Sequence, residues 1–325
     1  MRRRAFITLL GSAAAWPLLA RAQQAGNPRL IGFLYPGPIA AGPPRVNAFL
    51  TGLRSGGVRE PDEVEIVARI ADGDLSLLSG MAADLVARKV NLIAAISPAA
   101  VRAARAATTT IPIVANDLES DPVASDFVAS YARPGRNVTG AFLDFPDFAK
   151  KWVELLKEAV PQLLKMAVVW DPATGPVQRN AVASAAAALG IELDVIEVHG
   201  RGDLQGAFRT VARSGAGALL MLSSPLIGPN TRLLARLAIE HRLPAMTLFT
   251  DFARDGGLMA YGPNLLGFLR QTGVMAAKIL NGASPAELPI ETPTRFEFVL
   301  NLKTAKVLDI IIPPSLLLRA DEVIE

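Results

Sequence analysis

From residue 30 onward, short apolar runs alternate with amphipathic stretches, and the apolar runs end in turn punctuation. Residues 30–35 (LIGFLY) end at Pro36-Gly37-Pro38. Residues 45–53 place Val46, Phe49, Leu50 and Leu53 on one helical face. Residues 64–70 read as a strand closed by Ala71-Asp72-Gly73, and residues 75–88 as a helix. A continuous apolar strand over 91–96 ends at Ser97-Pro98; a helix over 99–107 and a strand over 111–115 follow. Parallel neighbours need a crossover between them, and strands buried on both faces read as unbroken apolar runs. The order therefore predicts an α/β fold, a doubly wound parallel sheet with helices on both faces.

The pattern then restarts. A strong amphipathic helix covers 148–160, and a strand over 165–170 ends at Asp171-Pro172. An alanine-rich helix over 178–189 stops at Gly190; strand 191–198 and helix 203–213 follow. Strand 218–222 ends at Ser223-Ser224-Pro225, helix 231–241 follows, and the next strand spans 243–249. In both halves an apolar strand ends in Ser-Pro, a helix follows, and an aliphatic-Pro pair (Ile111-Pro112, Leu243-Pro244) starts the next strand. Shared punctuation as well as periodicity predicts two similar lobes. No Gly/Ser-rich tract separates them, so the junction near residues 138–141 is expected to be a hinge between packed lobes.

Ahead of this pattern, Arg2, Arg3 and Arg4 precede an apolar run over residues 5–20, and Ala20-Arg21-Ala22 offers small residues at the two positions a signal peptidase reads. The run is shorter than the roughly 20 residues of a spanning helix. Arg3-Arg4-Ala5-Phe6-Ile7 resembles a twin-arginine export signal, although Thr8 stands where a lysine is usual. Residues 1–22 are expected to be a signal peptide cleaved near Ala22, delivering the protein to the periplasm. Its removal takes away four arginines and no acid, which turns a formal charge of +3 into 29 basic against 30 acidic residues. That balance gives no nucleic-acid surface. The chain has no cysteine, which excludes disulfides, thiolate metal sites, cysteine nucleophiles and lipid attachment through cysteine.

Catalytic signatures are sparse. There is no phosphate loop of the Gly-x-x-x-x-Gly-Lys type and no Gly-x-Ser-x-Gly elbow. Gly215-Ala216-Gly217 follows a helix and precedes a strand, the reverse of a dinucleotide site, and reads as a helix stop. His199 and His241 lack neighbours at metal-ligand spacing. No catalytic residue, metal or cofactor is expected. The suggestive residues sit at the carboxyl ends of expected strands, where doubly wound sheets bind ligands: Tyr35, Ser97, Pro98, Asp117, Asp121, Trp170, Asp171, Ser223, Ser224, Phe249, Thr250 and Tyr261. Asp121 before Pro122 reads mainly as a helix cap; Asp117 and Asp171 suit either capping or a ligand, with a ligand favoured for Asp117. Ser97 and Ser224, at equivalent places in the two halves, are each expected to open a helix whose free N–H groups can hold a carboxylate.

The chain resembles the ABC-transporter substrate-binding protein family that includes tryptophan-type binding proteins. The likeness rests on Ile111-Pro112-Ile113-Val114, Ser120-Asp121-Pro122-Val123, residues 132–140 (ARPGRNVTG), residues 151–157 (KWVELLK), residues 257–264 (GLMAYGPN) and residues 296–305 (FEFVLNLKTA). In the third of these the family usually carries a second glycine where Arg136 stands. The resemblance implies the type I periplasmic binding fold, with lobe one over 28–140 plus 262–297 and lobe two over 141–261 plus 298–325. It also implies ligand in the cleft, no enzymatic activity, and a monomer that docks on an ABC permease in the inner membrane.

The leading expectation is a periplasmic solute receptor for an amino acid or similar metabolite: helix N-termini for the carboxylate, an acid such as Asp117 for the ammonium, aromatics for the side chain. Closure on ligand follows from differential affinity for the closed form. Two alternatives stand beside it: an exported hydrolase or lyase using strand-end carboxylates, and a sensing module that reports to a membrane receptor.

Overall fold

The computed structural model describes residues 28–58 and 63–325. The expected export signal lies outside the described residues. Two sheets organise the chain. The first holds β1 (Arg29–Tyr35), β2 (Val64–Ile70), β3 (Leu92–Ile96), β4 (Ile113–Asp117) and β5 (Val138–Phe142), all parallel, in the order β2-β1-β3-β4-β5. The second holds β6 (Lys165–Trp170), β7 (Glu192–Glu197), β8 (Ala218–Met221), β9 (Ala245–Thr247), β10 (Met259–Pro263), β11 (Phe296–Asn301) and β12 (Glu322–Ile324). Its order is β12-β11-β10-β9-β8-β6-β7, with only β10 and β11 antiparallel. Within it, β7-β6-β8-β9-β10 repeats the order of the first sheet, so the duplication anticipated from the Ser-Pro punctuation is a duplication of topology.

Helices α1 (Gly42–Ser55), α2 (Leu78–Ala87) and α3 (Pro98–Ala107) interleave the first sheet. Helices α4 (Phe145–Ala159), α5 (Val177–Ala188), α6 (Leu204–Arg213), α7 (Thr231–Glu240) and the short α8 (Asp251–Arg254) interleave the second. A long helix α9 (Leu265–Leu280) and the short α10 (Leu302–Val307) and α11 (Pro314–Leu317) follow. The period-two alternation of the strands sorts their side chains. Phe33, Leu92, Ala94 and Val114 join one core with Phe49 and Leu53 of α1 and Phe268 and Met275 of α9. Leu34, Ile93, Ala95 and Ile113 join the other core with Leu85 of α2 and Val101 of α3. Both faces are covered, which is why these strands carry almost no polar residue.

Helix α9 follows a strand of the second sheet yet packs on α1 against the first. The crossing is close because it is made by glycines. A Cβ added to Gly52 would lie 2.8 Å from the Arg270 carbonyl carbon, and one added to Gly273 would lie 2.9 Å from the Gly52 Cα. The chain passes between the sheets three times: after β5, after β10, and before β11. At the third passage Glu291 is still bonded to the edge of the first sheet, its N–H donating to Gly140 O (3.0 Å) and its carbonyl accepting from Phe142 N (2.9 Å). Gly140 adopts φ +146°, and a Cβ there would lie 2.8 Å from the Ala115 carbonyl carbon.

Element boundaries differ from expectation where proline decides them. Helix α1 begins at Gly42, three residues before the expected start, because Pro43 and Pro44 occupy a first turn whose N–H groups need no partner. Strands β4 and β9 begin after Pro112 and Pro244 because proline has no N–H for the ladder. Asp121 caps a turn and not a helix: its Oδ1 accepts from Val123 N and Ala124 N (both 2.8 Å), and residues 122–126 form no helix. Ser224 likewise opens a turn, accepting from Leu226 N (3.0 Å) and Ile227 N (3.2 Å), with α7 starting only at Thr231.

Candidate functional site

In each sheet the chain order reverses beside the first strand, between β1 and β3 and between β6 and β8. A crevice opens there, outside the carboxyl ends of the strands. The two crevices face each other and enclose a mostly apolar cavity of about 70 Å³. One water needs about 10–15 Å³ measured this way, so the space takes several. From the first sheet it is lined by Tyr35 at the end of β1, Arg45 of α1, Ser97 after β3, and Asn116, Leu118 and Glu119 around the end of β4. Ser224, Pro225 and Phe249 close it from the second sheet, and Leu265 and Leu269 of α9 line the hinge side.

Ser97 is held at φ 89°, ψ 158°, a region occupied almost only by glycine and costing a side-chain-bearing residue about 1–3 kcal/mol. Its backbone is fixed on both sides: Ser97 N donates to Asn116 O (2.9 Å) and Ser97 O accepts from Val101 N (3.1 Å). Its Oγ is buried without a hydrogen-bond partner and does not cap α3. With Pro98 at the first helical position, the serine that opens α3 carries strain and an idle hydroxyl at the cavity wall.

Ionisable groups stand at two points of this wall. The Arg45 guanidinium lies 4.9 Å from the centre of the Tyr35 ring, and its Nη1 donates to Ala41 O (3.0 Å). Burial raises the Tyr35 phenol, partly offset by Arg45. Glu119 is buried, and its Oε1 accepts from Ser223 Oγ (2.7 Å), a bond that crosses from one sheet to the other. Burial first, and the neighbouring Asp117 second, raise its carboxyl above the ordinary range. Ser223 is in turn gripped by Gln178 of α5, whose Oε1 accepts from Ser223 N (2.9 Å) while its Nε2 donates to Ser223 O (2.8 Å). A second cross-lobe bond runs from Arg102 Nη2 of α3 to Ala173 O (2.9 Å). The lobes are thus in contact across the cavity.

Of the residues anticipated from sequence, Tyr35, Ser97, Ser224 and Phe249 line the cavity. Asp117 does not: its side chain is fully buried and spent on its own loop, with Oδ1 accepting from Glu119 N (2.8 Å) and Ser120 N (3.0 Å) and Oδ2 bonded by Ser120 Oγ. Asp171 is similarly turned to Ala173 N (2.9 Å) and sits behind Ser224; burial raises its carboxyl. Ser223 supports Glu119 from outside the lining. Pro98 is buried in the first turn of α3, Thr250 Oγ1 accepts from Arg254 Nη1 (3.0 Å), and Trp170 Nε1 donates to Gly175 O (3.0 Å). Asp121 lies on a separate groove with Tyr131 and α5. Tyr261 belongs to the hinge: it stacks on Phe148 (5.3 Å) and Phe296 (5.7 Å), and its carbonyl accepts from Trp152 Nε1 (2.8 Å).

Sequence reasoning passed over Arg45 and Glu119. Arg45 is the first charged residue after the carboxyl end of β1. Glu119 lies between Asp117 and Asp121 in one loop, where a capping acid and a ligand-facing acid look alike in sequence. Among the described residues no group of three His, Cys, Asp or Glu side chains could hold a metal, and no helix is long and apolar enough to cross a membrane.

Comparison with known proteins agrees with this architecture. Residues 44–324 match the family described as ABC transporter substrate binding protein. A tyrosine-binding protein of Clostridioides difficile is 25% identical over 263 residues, covering 80% of this chain and 75% of that one. The structure of an ABC domain in complex with L-Trp from Streptococcus pneumonia superposes with a TM-score of 0.82 at 24% identity, covering 91% of this chain and 100% of the other. The ligand-free, open structure of a substrate binding protein with adhesive properties from Clostridium difficile gives 0.67 at 24% identity, covering 91% and 99%. The two-lobed parallel-sheet arrangement is that of type I periplasmic binding proteins.

Proposed function

Because the chain belongs to the ABC transporter substrate binding protein family, whose members are binding proteins and not enzymes, we propose that it is an exported receptor that captures an amino acid, or a metabolite of like charge pattern, and delivers it to an ABC importer. The observation that carries this reading is the pairing of one cation, Arg45, and one acid, Glu119, on the wall of a single small apolar cavity. A zwitterion satisfies both poles at once: its carboxylate against Arg45, the Ser97 hydroxyl and the start of α3, its ammonium against Glu119. Tyr35 and Phe249 supply aromatic walls for a side chain. An apolar pocket with a few fixed polar groups is the usual form of a small-molecule site. The tyrosine-binding relative and the L-Trp complex favour an aromatic amino acid.

Residues 28–142 with 264–295 form one lobe, and residues 143–263 with 296–325 the other, so that β5, β10 and β11, which the expected bounds of 140, 261 and 297 would cut, each stay whole. They swing about the three crossings, and ligand bridging Arg45 and Ser224 stabilises the shut form. Export through the arginine-led signal places the mature monomer in the periplasm, facing an inner-membrane permease.

Calorimetric titration with a panel of L-amino acids tests the reading, alongside mass spectrometry of small molecules released on denaturation. Saturable 1:1 binding of an amino acid, lost in Arg45→Ala and Glu119→Ala, is the expected result. Binding confined to uncharged sugars, or turnover of a bound compound, refutes it.

A further inference from the structure

Glu119 makes the shut cleft conditional. Its carboxyl is buried, and the second lobe supplies its hydrogen-bond partner, Ser223 Oγ at 2.7 Å. Parting the lobes removes that partner and opens the cavity wall that Glu119 lines to water. The groups around it do not balance a negative charge. Asp117 lies on its own loop, and Asp171 faces it from the end of β6, both acidic. Tyr35 faces it from the end of β1 as a neutral phenol. Of the cations nearby, Arg102 of α3 acts on Asp117 and is committed to Ala173 O, and Arg45 of α1 stands over the Tyr35 ring.

We propose that Glu119 is a proton-operated latch between the lobes: protonated, it lets the empty cleft shut on Ser223, and ionised, it keeps the cleft open until a cationic group of the ligand takes the proton's place. The inference rests on the reading of the molecule as a closing receptor.

Closure of the empty cleft then takes up one proton, from solvent onto a Glu119 oxygen, and no other bond changes. By linkage, the closed-to-open ratio rises up to tenfold for each pH unit lost between the carboxyl's pKa in the two states. In the open state that is the ordinary glutamate range, about 4.3; burial and the neighbouring Asp117 raise it well above that in the shut state. Ligand ammonium and proton compete for one site, so an amine-bearing ligand binds more weakly in acid although the empty receptor shuts more readily there. In the periplasm, an acid shift would favour shut, empty receptors.

Small-angle scattering of the ligand-free full chain between pH 5 and 8.5, with and without L-tryptophan or L-tyrosine, tests this. The expected result is a radius of gyration that falls as pH falls, and a Glu119→Gln variant that is compact at every pH, because the amide mimics the protonated acid. Ser223→Ala, which keeps the carboxyl but removes its partner, should remain more open in acid and serves if Glu119→Gln does not fold by circular dichroism. Ligand-driven compaction without any pH-driven change in the empty protein overturns the latch while leaving the receptor reading intact. A pH-driven compaction that persists unchanged in both variants overturns it as well. No change with either pH or ligand refutes hinge closure itself, and the latch with it.

Discussion

The same substitution, glycine to alanine, should have opposite effects at two helical positions of this protein. Gly273 faces α1 from the middle of α9, and an alanine Cβ there would fall 2.9 Å from Gly52 Cα and 3.0 Å from Leu53 N, with the Phe49 carbonyl oxygen nearer still. Backbone cannot swing aside as a side chain can, so the helices must part by about 1 Å before contact becomes ordinary. A gap of about 0.5–1 Å forfeits about a quarter to a half of each dispersion contact across it, and overpacking of this kind costs about 1–3 kcal/mol, sometimes more. Alanine's helix propensity returns about 1 kcal/mol. The net expectation is a loss of about 1 kcal/mol. Gly80, in α2, has nothing within 4 Å of an added Cβ, so Gly80→Ala should gain about 0.5–1 kcal/mol from propensity alone. Urea denaturation followed by circular dichroism measures both, with unchanged slopes and midpoints displaced in opposite directions. Leu265 and Leu269 of α9 also line the cavity, so Gly273→Ala should weaken ligand binding as well. Equal shifts for the two variants would falsify the claim that backbone proximity controls the α1–α9 crossing.

Further expectations follow from the site and the hinge. Ser97→Gly relieves a backbone held at φ 89° and removes the idle hydroxyl; thermal stability should rise by about 1 kcal/mol or more while ligand affinity falls, and a loss of stability would argue against strain. Trp152→Phe keeps an aromatic ring in a fully buried place but leaves the Tyr261 carbonyl without the indole N–H; it should cost about 1–3 kcal/mol in chemical denaturation. Burial raises Glu119 and Asp117 above the unfolded carboxylate range. The unfolded chain therefore loses these protons first as pH rises, and the ligand-free protein should lose stability as pH climbs above the ordinary carboxylate range. Glu119→Gln should flatten that slope, readable as thermal midpoint against pH. Asp84, held by Arg69 and Arg88 with its carboxyl below the ordinary value, acts in the opposite sense. Its contribution is present above the unfolded pKa and fades as pH falls through the folded one, so Asp84→Asn should lower the thermal midpoint at pH 7 but not in strong acid.

The sequence by itself determined the architecture. Apolar runs such as 91–96 and 218–222 are too short for helices and end in Ser-Pro turns, so they read as strands covered on both faces, and their regular alternation with helices points to a parallel sheet. The repeated Ser-Pro punctuation marked the same crossover twice, and the sheets proved to share one strand order. That order also sent Tyr35, Ser97, Ser224 and Phe249 to one place, since all four lie at or just beyond the carboxyl ends of strands. Tertiary structure alone decided which charges face the cavity. Asp117 and Glu119 are two residues apart and chemically near-equivalent, yet one is consumed by the amides of its own turn and the other reaches Ser223, 104 residues further along the chain. Periodicity records burial along an element; it does not record what an opposing lobe brings to a loop. The same reason hid Arg45, whose α1 sequence shows only an amphipathic helix, and moved Tyr261 from an expected ligand wall into the aromatic cluster at the hinge. Side-chain direction in a loop depends on contacts made across the cleft, and those exist only once the two lobes meet.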